Sequence, residues 1–234
     1  MDYEARGVDA RRQQRLAVLG DLILAASFNV TSVRDPEEIE RTHFLDSLSL
    51  LDVPGVMAAR RLADVGSGAG LPAWVLALAL PDVNVVAVES VRKKCSFIED
   101  AAKTLGLTNL AVACARAEEY GRSDARAAHD VVVTRAVGSL AVVAEYSLPL
   151  LTLDGAMVAM KGLVSDQECI QGLRALAILG ADGLDALRLH PFEGAENRWA
   201  YVAKKVRPTP AEFPRRPGLP AKRPLGDFPG ADGA

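Results

Sequence analysis

The spacing of hydrophobic residues changes character near residue 55. Before that point, residues 4–26 carry Leu16, Leu19 and Ile23 at helical spacing. A second helix is predicted to begin at Asp35-Pro36-Glu37-Glu38 and to run to about Leu51. There an acid can cap the helix, proline suits the first turn, and acids lie beside the positive end of the helix dipole. We therefore predict a helical N-terminal unit over residues 1–55.

Beyond residue 55, short apolar runs rich in β-branched residues alternate with helical segments. The predicted strands are residues 61–65, 84–88, 110–114, 130–134, 156–160, 184–190 and 199–205, and the predicted helices are residues 71–80, 92–105, 140–150 and 166–179. Strands that alternate with helices indicate a mostly parallel sheet covered on both faces. The predicted fold class is α/β, with a doubly wound seven-stranded sheet in a core domain of residues 56–206.

The C-terminal segment, residues 207–234, differs in composition from the rest of the chain. Seven of the 13 prolines lie in residues 208–234, so we predict an extended arm without a helix or central strand. Residues 198–234 carry a net charge of +5, whereas the whole chain carries −3. A basic segment on an acidic body can contact phosphate, or it can be a solvated tail, and charge alone does not separate the two.

The composition of the chain limits the classes of protein to which it can belong. The 234 residues are 50% hydrophobic and 24% charged, which is typical of a folded globular protein and not of a disordered one. No apolar run is long enough to cross a bilayer, and the N-terminus has acids where a signal peptide has bases, so a cytoplasmic protein is expected. Three scattered cysteines and three scattered histidines predict neither a disulfide framework nor a metal site, and we expect buried free thiols.

The stretch Asp64-Val65-Gly66-Ser67-Gly68-Ala69-Gly70-Leu71-Pro72 joins a predicted strand to a predicted helix. Glycines at such a turn allow a sharp bend and close approach of a ligand. A dinucleotide-binding turn has the spacing G-x-G-x-x-G, but here the third glycine comes one residue early, at Gly70. This spacing argues against a pyrophosphate and favours S-adenosylmethionine, although a turn without any ligand is the alternative.

Charged residues follow three neighbouring strands. Glu89 ends the second strand, where a carboxylate can accept hydrogen bonds from both ribose hydroxyls. Ala117 and Glu118 follow the third strand and could flank adenine and its amino group, while Arg135 follows the fourth. Each of them could instead be an ordinary surface residue at the end of a strand or the start of a helix.

Four stretches resemble the bacterial RsmG family, formerly called glucose-inhibited division protein B. They are residues 29–38 with the segment His43-Phe44-Leu45-Asp46-Ser47-Leu48, the glycine turn, Thr134-Arg135-Ala136, and the proline- and arginine-rich residues 206–225. The resemblance extends to about Leu225. It implies a Rossmann-like class I methyltransferase that transfers a methyl group to N7 of one guanine in the decoding-region loop of 16S ribosomal RNA.

The resemblance also implies roles for individual residues. The cofactor would be held by six residues: Gly66, Leu71, Glu89, Ala117, Glu118 and Arg135. RNA would be contacted by the basic arm: Arg207, Arg215, Arg216, Lys222 and Arg223. No catalytic acid or base and no metal is expected, because guanine N7 carries a lone pair and no proton. The expected product is S-adenosylhomocysteine, and the expected partner is 16S RNA or the 30S subunit, with no membrane and no obligate protein partner.

Three other functions remain open at this point. A small-molecule methyltransferase is disfavoured by the basic arm, and an NAD-dependent oxidoreductase is disfavoured by the glycine spacing. A non-catalytic RNA-binding module is disfavoured by the presence of Gly66, Glu89 and Glu118. One departure from the family is Trp74, which could narrow the mouth of the pocket or pack on the sheet.

Overall fold

The computed structural model describes residue 3 and residues 6–227. Seven strands form one sheet in the order β3-β2-β1-β4-β5-β7-β6, and β7 runs antiparallel to both of its neighbours. The strands are β1 (Arg61–Val65), β2 (Asn84–Glu89), β3 (Leu110–Cys114), β4 (His129–Arg135), β5 (Leu151–Lys161), β6 (Ala181–Arg188) and β7 (Trp199–Lys205). The predicted α/β class and seven-stranded sheet are confirmed.

The helices in the described part of the chain flank this sheet. They are α1 (Ala10–Ala25), α2 (Pro36–Ile39), α3 (Asp46–Leu48), α4 (Ala73–Ala79), α5 (Arg92–Thr104), α6 (Ala117–Tyr120), α7 (Leu140–Ser147), α8 (Asp166–Leu179) and α9 (Leu219–Lys222). The first helix begins at Ala10, not at residue 4, and residues 4 and 5 lie outside the described residues. Strand β5 begins five residues earlier than predicted, and its register with β4 shifts between His129 and Val131.

Alternate residues of the strands fill two separate cores. In β1, Leu62 belongs to the core that includes α1, α4 and α5, whereas Ala63 belongs to the core that includes α7 and α8. This alternation follows from the two-residue period of a strand whose two faces are both covered. The N-terminal unit packs on the first core, and Phe213 and Leu225 of the arm pack on the second.

The segment after Asp35 begins as predicted but is not one continuous α-helix. Asp35 accepts a hydrogen bond from the Glu38 amide at 2.9 Å, which confirms the predicted cap. A π-helical turn then occupies Glu40–Leu45, and a 3-10 turn occupies Ser49–Asp52. The Thr42 hydroxyl donates to the Glu38 carbonyl and the Ser47 hydroxyl to the His43 carbonyl, a type of side-chain contact that accompanies local helix distortion.

The described part of the arm, residues 207–227, lies against the core. The prediction that it contains no helix is wrong for Leu219–Lys222, where Pro220 occupies the first turn and therefore needs no intrahelical donor. The expectation of buried thiols is wrong for Cys114, which ends β3 and is exposed, while Cys169 is partly buried and Cys95 is buried. No helix among the described residues has the length and apolar content that crossing a membrane requires.

Candidate functional site

The glycine turn connects β1 to α4 in a conformation that requires glycine at two positions. Gly66 has a φ of 75°, and a Cβ atom there would lie 2.7 Å from Cγ2 of Val137. Gly70 has a φ of 93°, and a Cβ atom there would lie 2.7 Å from the indole ring of Trp74. Any side chain at either position would strain the backbone and displace its neighbour. Within the turn, Gly66 is exposed and lies beside Val137, which follows the end of β4, whereas Gly70 is buried against Trp74.

Trp74 settles the question raised by the sequence. Its side chain is fully buried, its Nε1 donates to the Ile98 carbonyl at 3.3 Å, and its ring meets that of Phe97 edge to face at 5.5 Å. It packs beneath Gly70 as part of the core. Trp74 thus belongs to the core beneath the turn and does not line the cavity described below.

Asp64 is the penultimate residue of β1, and its side chain fixes the turn that follows. Its Oδ2 accepts hydrogen bonds from the Ser67 hydroxyl at 2.5 Å and from the Ala73 amide at 3.1 Å, and its Oδ1 is buried without a partner in the described structure. Burial raises the pKa of Asp64 to about 6. Asp64 belongs to the glycine motif, but its position in the sequence did not predict a role for it. In the structure its hydrogen bonds shape the turn.

Glu89 joins the turn to the end of β2. Its Oε2 accepts from the Gly68 amide at 3.0 Å, and its Oε1 accepts from the amides of Ser90 and Val91 at 2.7 and 2.8 Å. Three amide donors around one carboxylate hold it in a single position. Glu89 is 8% exposed, so it reaches the surface only at the cavity beside the turn.

That cavity lies at the carboxyl edge of the sheet and brings together four of the six predicted cofactor residues. Gly66, Glu89, Ala117 and Glu118 line it. The rest of the lining, which the sequence analysis did not identify, is Val65, Val88, Ser90, Ala115, Arg116, Val137 and Tyr146. Burial and the nearby charge of Glu118 raise the pKa of Tyr146 to about 12, so its hydroxyl stays protonated. The charged residues of this lining are two carboxylates and the single cation Arg116, so acceptors predominate and suit a ligand rich in neutral donors.

The structure separates the other two predicted cofactor residues from this cavity. Leu71 is 5% exposed and packs in the core with α4. Arg135 lies at the end of β4, where its Nη1 donates to the Thr42 carbonyl at 3.3 Å and lies 3.6 Å from Oδ2 of Asp46. Neither side chain lines the cavity that holds Glu89 and Glu118.

Asp46 links the N-terminal unit to the sheet edge. Its Oδ1 accepts from Nε of Arg198 at 3.0 Å, and its Oδ2 faces Arg135. Burial raises the pKa of Asp46, while the two arginine charges act in the opposite direction. His43, three residues earlier, hydrogen-bonds Thr31 Oγ1 at 2.8 Å, and burial lowers its pKa. The π-helical turn thus places Asp46 between two arginines that are distant in sequence.

A second cavity of about 430 Å³ opens beside this ion-pair cluster. Its lining includes Asp46, Arg135, Lys161, Arg198 and Trp199. Ala136 also lines it, and the next residue, Val137, lines the first cavity. The two cavities are therefore neighbours at the carboxyl end of β4.

The predicted RNA-binding cations have different surroundings. Arg216, Lys222 and Arg223 are exposed. Arg207 is exposed too, although its Nη2 donates to the Ala177 carbonyl at 3.2 Å. The Arg215 guanidinium instead lies on the buried carboxylate of Glu145.

Comparison with known proteins identifies relatives over nearly the whole chain. The family model described as rRNA small subunit methyltransferase G matches residues 16–191. A protein named ribosomal RNA small subunit methyltransferase G from Rubrobacter xylanophilus is 41% identical, over 95% of this chain and 88% of its own length. The protein of that name from Deinococcus radiodurans is 38% identical, over 94% of this chain and 88% of its own length.

Solved structures of low sequence identity share the fold. The S-adenosylmethionine-dependent methyltransferase SibL superposes with a TM-score of 0.56 at 14% identity, covering 88% of this chain and 72% of SibL. Fibrillarin from Aeropyrum pernix, solved with natively bound S-adenosyl-L-methionine, superposes with a TM-score of 0.52 at 16% identity, covering 68% and 72%. The fold is thus the Rossmann-like fold of class I methyltransferases, as the resemblance implied. With this fold and these relatives, the chain belongs to the rRNA small subunit methyltransferase G family.

Proposed function

We propose that this protein transfers the methyl group of S-adenosylmethionine to N7 of a specific guanine in the decoding-region loop of 16S ribosomal RNA. The observation that carries the proposal is the cavity beside the glycine turn, with the carboxylates of Glu89 and Glu118 in its lining. Family membership supports small-subunit ribosomal RNA as the substrate. Such a substrate is consistent with action in the cytoplasm.

The residues of the first cavity fit the cofactor chemically. Glu89 keeps lone pairs for the ribose hydroxyls beyond its three amide donors, and Glu118 can accept from the adenine amino group. Gly66 allows the nucleoside to approach the backbone where a Cβ atom would collide with Val137. When bound, the cofactor supplies an electrophilic methyl group on a cationic sulfur.

The same cavity argues against the competing oxidoreductase function. A nicotinamide dinucleotide carries two phosphates, whereas the two carboxylates of the lining, Glu89 and Glu118, outnumber its one cation, Arg116, and disfavour negative charge. A small-molecule methyltransferase has no use for the exposed cations of the arm. The relatives of this chain are also named as ribosomal RNA methyltransferases.

We propose that the second cavity receives the acceptor guanine. Trp199 offers an aromatic surface for stacking, and the Asp46 carboxylate can accept from the donors on the Watson–Crick edge of guanine. Lys161 and Arg198 can donate to its O6 atom. Because this cavity adjoins the first one at Ala136 and Val137, a base in it lies beside the cofactor cavity.

The chain's contribution to the chemistry is positioning. Guanine N7 is nucleophilic without loss of a proton, so none of the residues has to act as a general base. The positive charge moves from the sulfur to the purine and is not newly created in the transfer. Alignment of two bound reactants is worth on the order of 7–11 kcal/mol.

We propose that the exposed cations Arg207, Arg216, Lys222 and Arg223 contact the RNA backbone. Their exposure leaves them available to phosphates, and the arm's contacts with the core limit the entropy lost on binding. Arg215, the fifth cation of the predicted set, faces a buried carboxylate, and a different role for it is argued below.

The first test is the product. Incubation with labelled S-adenosylmethionine and either naked 16S RNA or 30S subunits lacking the modification should label one guanine. Borohydride and aniline cleavage, which acts at N7-methylguanosine, should give a single cut in the decoding region. Transfer to neither substrate, or to an atom other than N7, would contradict the proposed reaction.

Replacement of Glu89 should weaken cofactor binding. In Glu89→Gln the carboxylate charge is lost and an amide N–H₂ group faces the backbone donors. Loss of charge-assisted hydrogen bonds of about 1.5–3 kcal/mol predicts a dissociation constant for S-adenosylhomocysteine about 10 to 100 times higher. Isothermal titration calorimetry measures it, with Glu99→Gln on the exposed side of α5 as control. Equal affinities of the two variants for S-adenosylhomocysteine would contradict the assignment of Glu89 as a cofactor-binding residue.

Replacement of Trp199 should affect the acceptor and not the cofactor. Base stacking worth about 1–3 kcal/mol predicts that Trp199→Ala lowers kcat/KM for RNA about 5- to 100-fold, whereas Trp199→Phe retains most of it. The dissociation constant for S-adenosylmethionine should stay at the wild-type value in both variants. Wild-type methylation by the alanine variant, with the protein folded, would exclude this cavity as the guanine site.

Removal of three exposed cations should change the salt dependence of RNA binding. In R216A/K222A/R223A we expect weaker binding and a slope of log K against log salt that is smaller by about 2–3, since each phosphate contact contributes about 0.7–0.9. Binding to a 16S fragment at several salt concentrations measures this slope. The variant R11A/K103A/R188A removes three exposed cations outside the arm and should retain the wild-type slope. An equal decrease of the slope in both variants would mean that the net charge of the protein, and not the arm, governs RNA binding.

A further inference from the structure

We infer that residues 215–218 of the arm position the Glu118 carboxylate for the cofactor's adenine, and that Arg215 is the anchor of this device. The inference rests on the proposed function, because it takes an adenosyl group as the ligand of the first cavity. It assigns Arg215 a positioning role in place of the predicted RNA contact.

Two arginines from the loop after α6 fasten the start of the arm to the core. Arg126 donates to the carbonyls of Phe213, Thr209 and Pro210 at 2.6, 2.9 and 3.1 Å. Arg122 donates to the carbonyls of Pro214 and Glu212 at 2.8 and 2.9 Å. Five carbonyls of the arm are thus satisfied by side chains that follow directly after Glu118 and its helix, so this part of the arm has a defined place.

Arg215 then makes the strongest contact of the arm. Its Nε and Nη2 donate to the two oxygens of Glu145 at 2.9 and 2.6 Å, and its backbone amide donates to Oε1 at 2.7 Å. Glu145 is fully buried in α7, and Arg215 is its ion-pair partner there. Removing one partner of a buried pair leaves an uncompensated charge, which costs far more than the loss of an exposed pair.

Three residues later the arm reaches the cofactor cavity. The Gly218 amide donates to Oε1 of Glu118 at 2.7 Å, while Gly218 has a φ of 79° that favours glycine. This donor holds Oε1, and the Tyr146 hydroxyl hydrogen-bonds the same carboxylate, whose remaining lone pairs can accept from an exocyclic amine. Arg215 Nη2 also donates to the Arg223 carbonyl at 2.8 Å, which closes residues 215–223 into a compact loop around Gly218.

The same anchor also lies next to a second lining residue. Tyr146 lines the cavity and immediately follows Glu145 in α7. Arg215 therefore links α7, the arm and, through Gly218, the carboxylate in α6. Without this anchor, Gly218 loses its fixed position and Glu118 loses the donor that orients it. Arg215 acts through Glu118, so its loss should alter recognition of the adenine amino group specifically.

The experiment compares two ligands that differ only at the Watson–Crick edge of the purine, where the amino group is replaced by a carbonyl oxygen and N1 gains a proton. S-adenosylhomocysteine presents it to Glu118, whereas S-inosylhomocysteine presents a carbonyl oxygen. We expect the wild-type protein to bind the adenosyl compound at least about tenfold more tightly by calorimetry, as expected for a single charge-assisted hydrogen bond. Arg215→Ala should reduce this preference to about threefold or less, and Arg216→Ala, which removes the neighbouring exposed cation, should keep it.

Two further variants keep the test decisive. E145Q/R215A removes the unpaired buried charge and provides a folded protein if Arg215→Ala unfolds, with the same loss of preference expected. Glu118→Gln gives the ratio of the affinities for the adenosyl and inosyl compounds when the carboxylate is absent. General destabilisation would weaken both ligands alike and leave their ratio unchanged.

The outcomes distinguish the inference from the proposed function. A wild-type ratio in folded Arg215→Ala or E145Q/R215A would overturn the positioning role while leaving S-adenosylmethionine as the cofactor. Failure of the folded wild-type protein to bind either compound would instead contradict the proposed function itself.

Discussion

The carboxylate of Glu89 is the contact on which the geometry of the site depends. It accepts hydrogen bonds from the glycine turn through Gly68 and from the backbone that follows β2 through Ser90 and Val91. The turn after β1 and the end of β2 are thereby held at a fixed distance. Because Gly66 and Gly70 have no side chains, the turn can pack against Val137 and Trp74 while Gly66 remains exposed.

The two cavities are built by segments from opposite ends of the chain. The N-terminal unit supplies Asp46, whose position follows from the π-helical turn and whose carboxylate pairs with Arg135 and Arg198. The C-terminal arm supplies Gly218, whose amide meets Glu118. The sheet provides a common edge, and each terminal segment completes one side of it. A displacement of either segment would therefore shift Asp46 or Glu118, each of which lines one of the cavities.

The arm combines two kinds of cation. Arg215 is directed inward to a buried carboxylate, whereas Arg216, Lys222 and Arg223 are exposed. The inward residue fixes the fold of the arm, and the exposed residues then form a surface whose place relative to the cofactor cavity is set by that fold. RNA bound to the exposed cations and cofactor bound near Glu118 would share one structural element, which gives a physical route for mutual dependence of the two binding events.

The sequence by itself determined the fold class, because the period of its apolar residues separates strands from helices, and β1, β3, β7 and α8 agree with their predicted bounds. It also predicted that Gly66, Glu89, Ala117 and Glu118 lie close together, because the carboxyl ends of parallel strands meet at one edge of the sheet. Only the tertiary structure decided that Leu71 lies in the core, that Arg135 faces Asp46, and that Arg215 faces Glu145. The ion pairs of Arg215 and Arg135 join residues 70 and 89 positions apart, and the place of Leu71 depends on how a turn bends, so no local pattern encodes them.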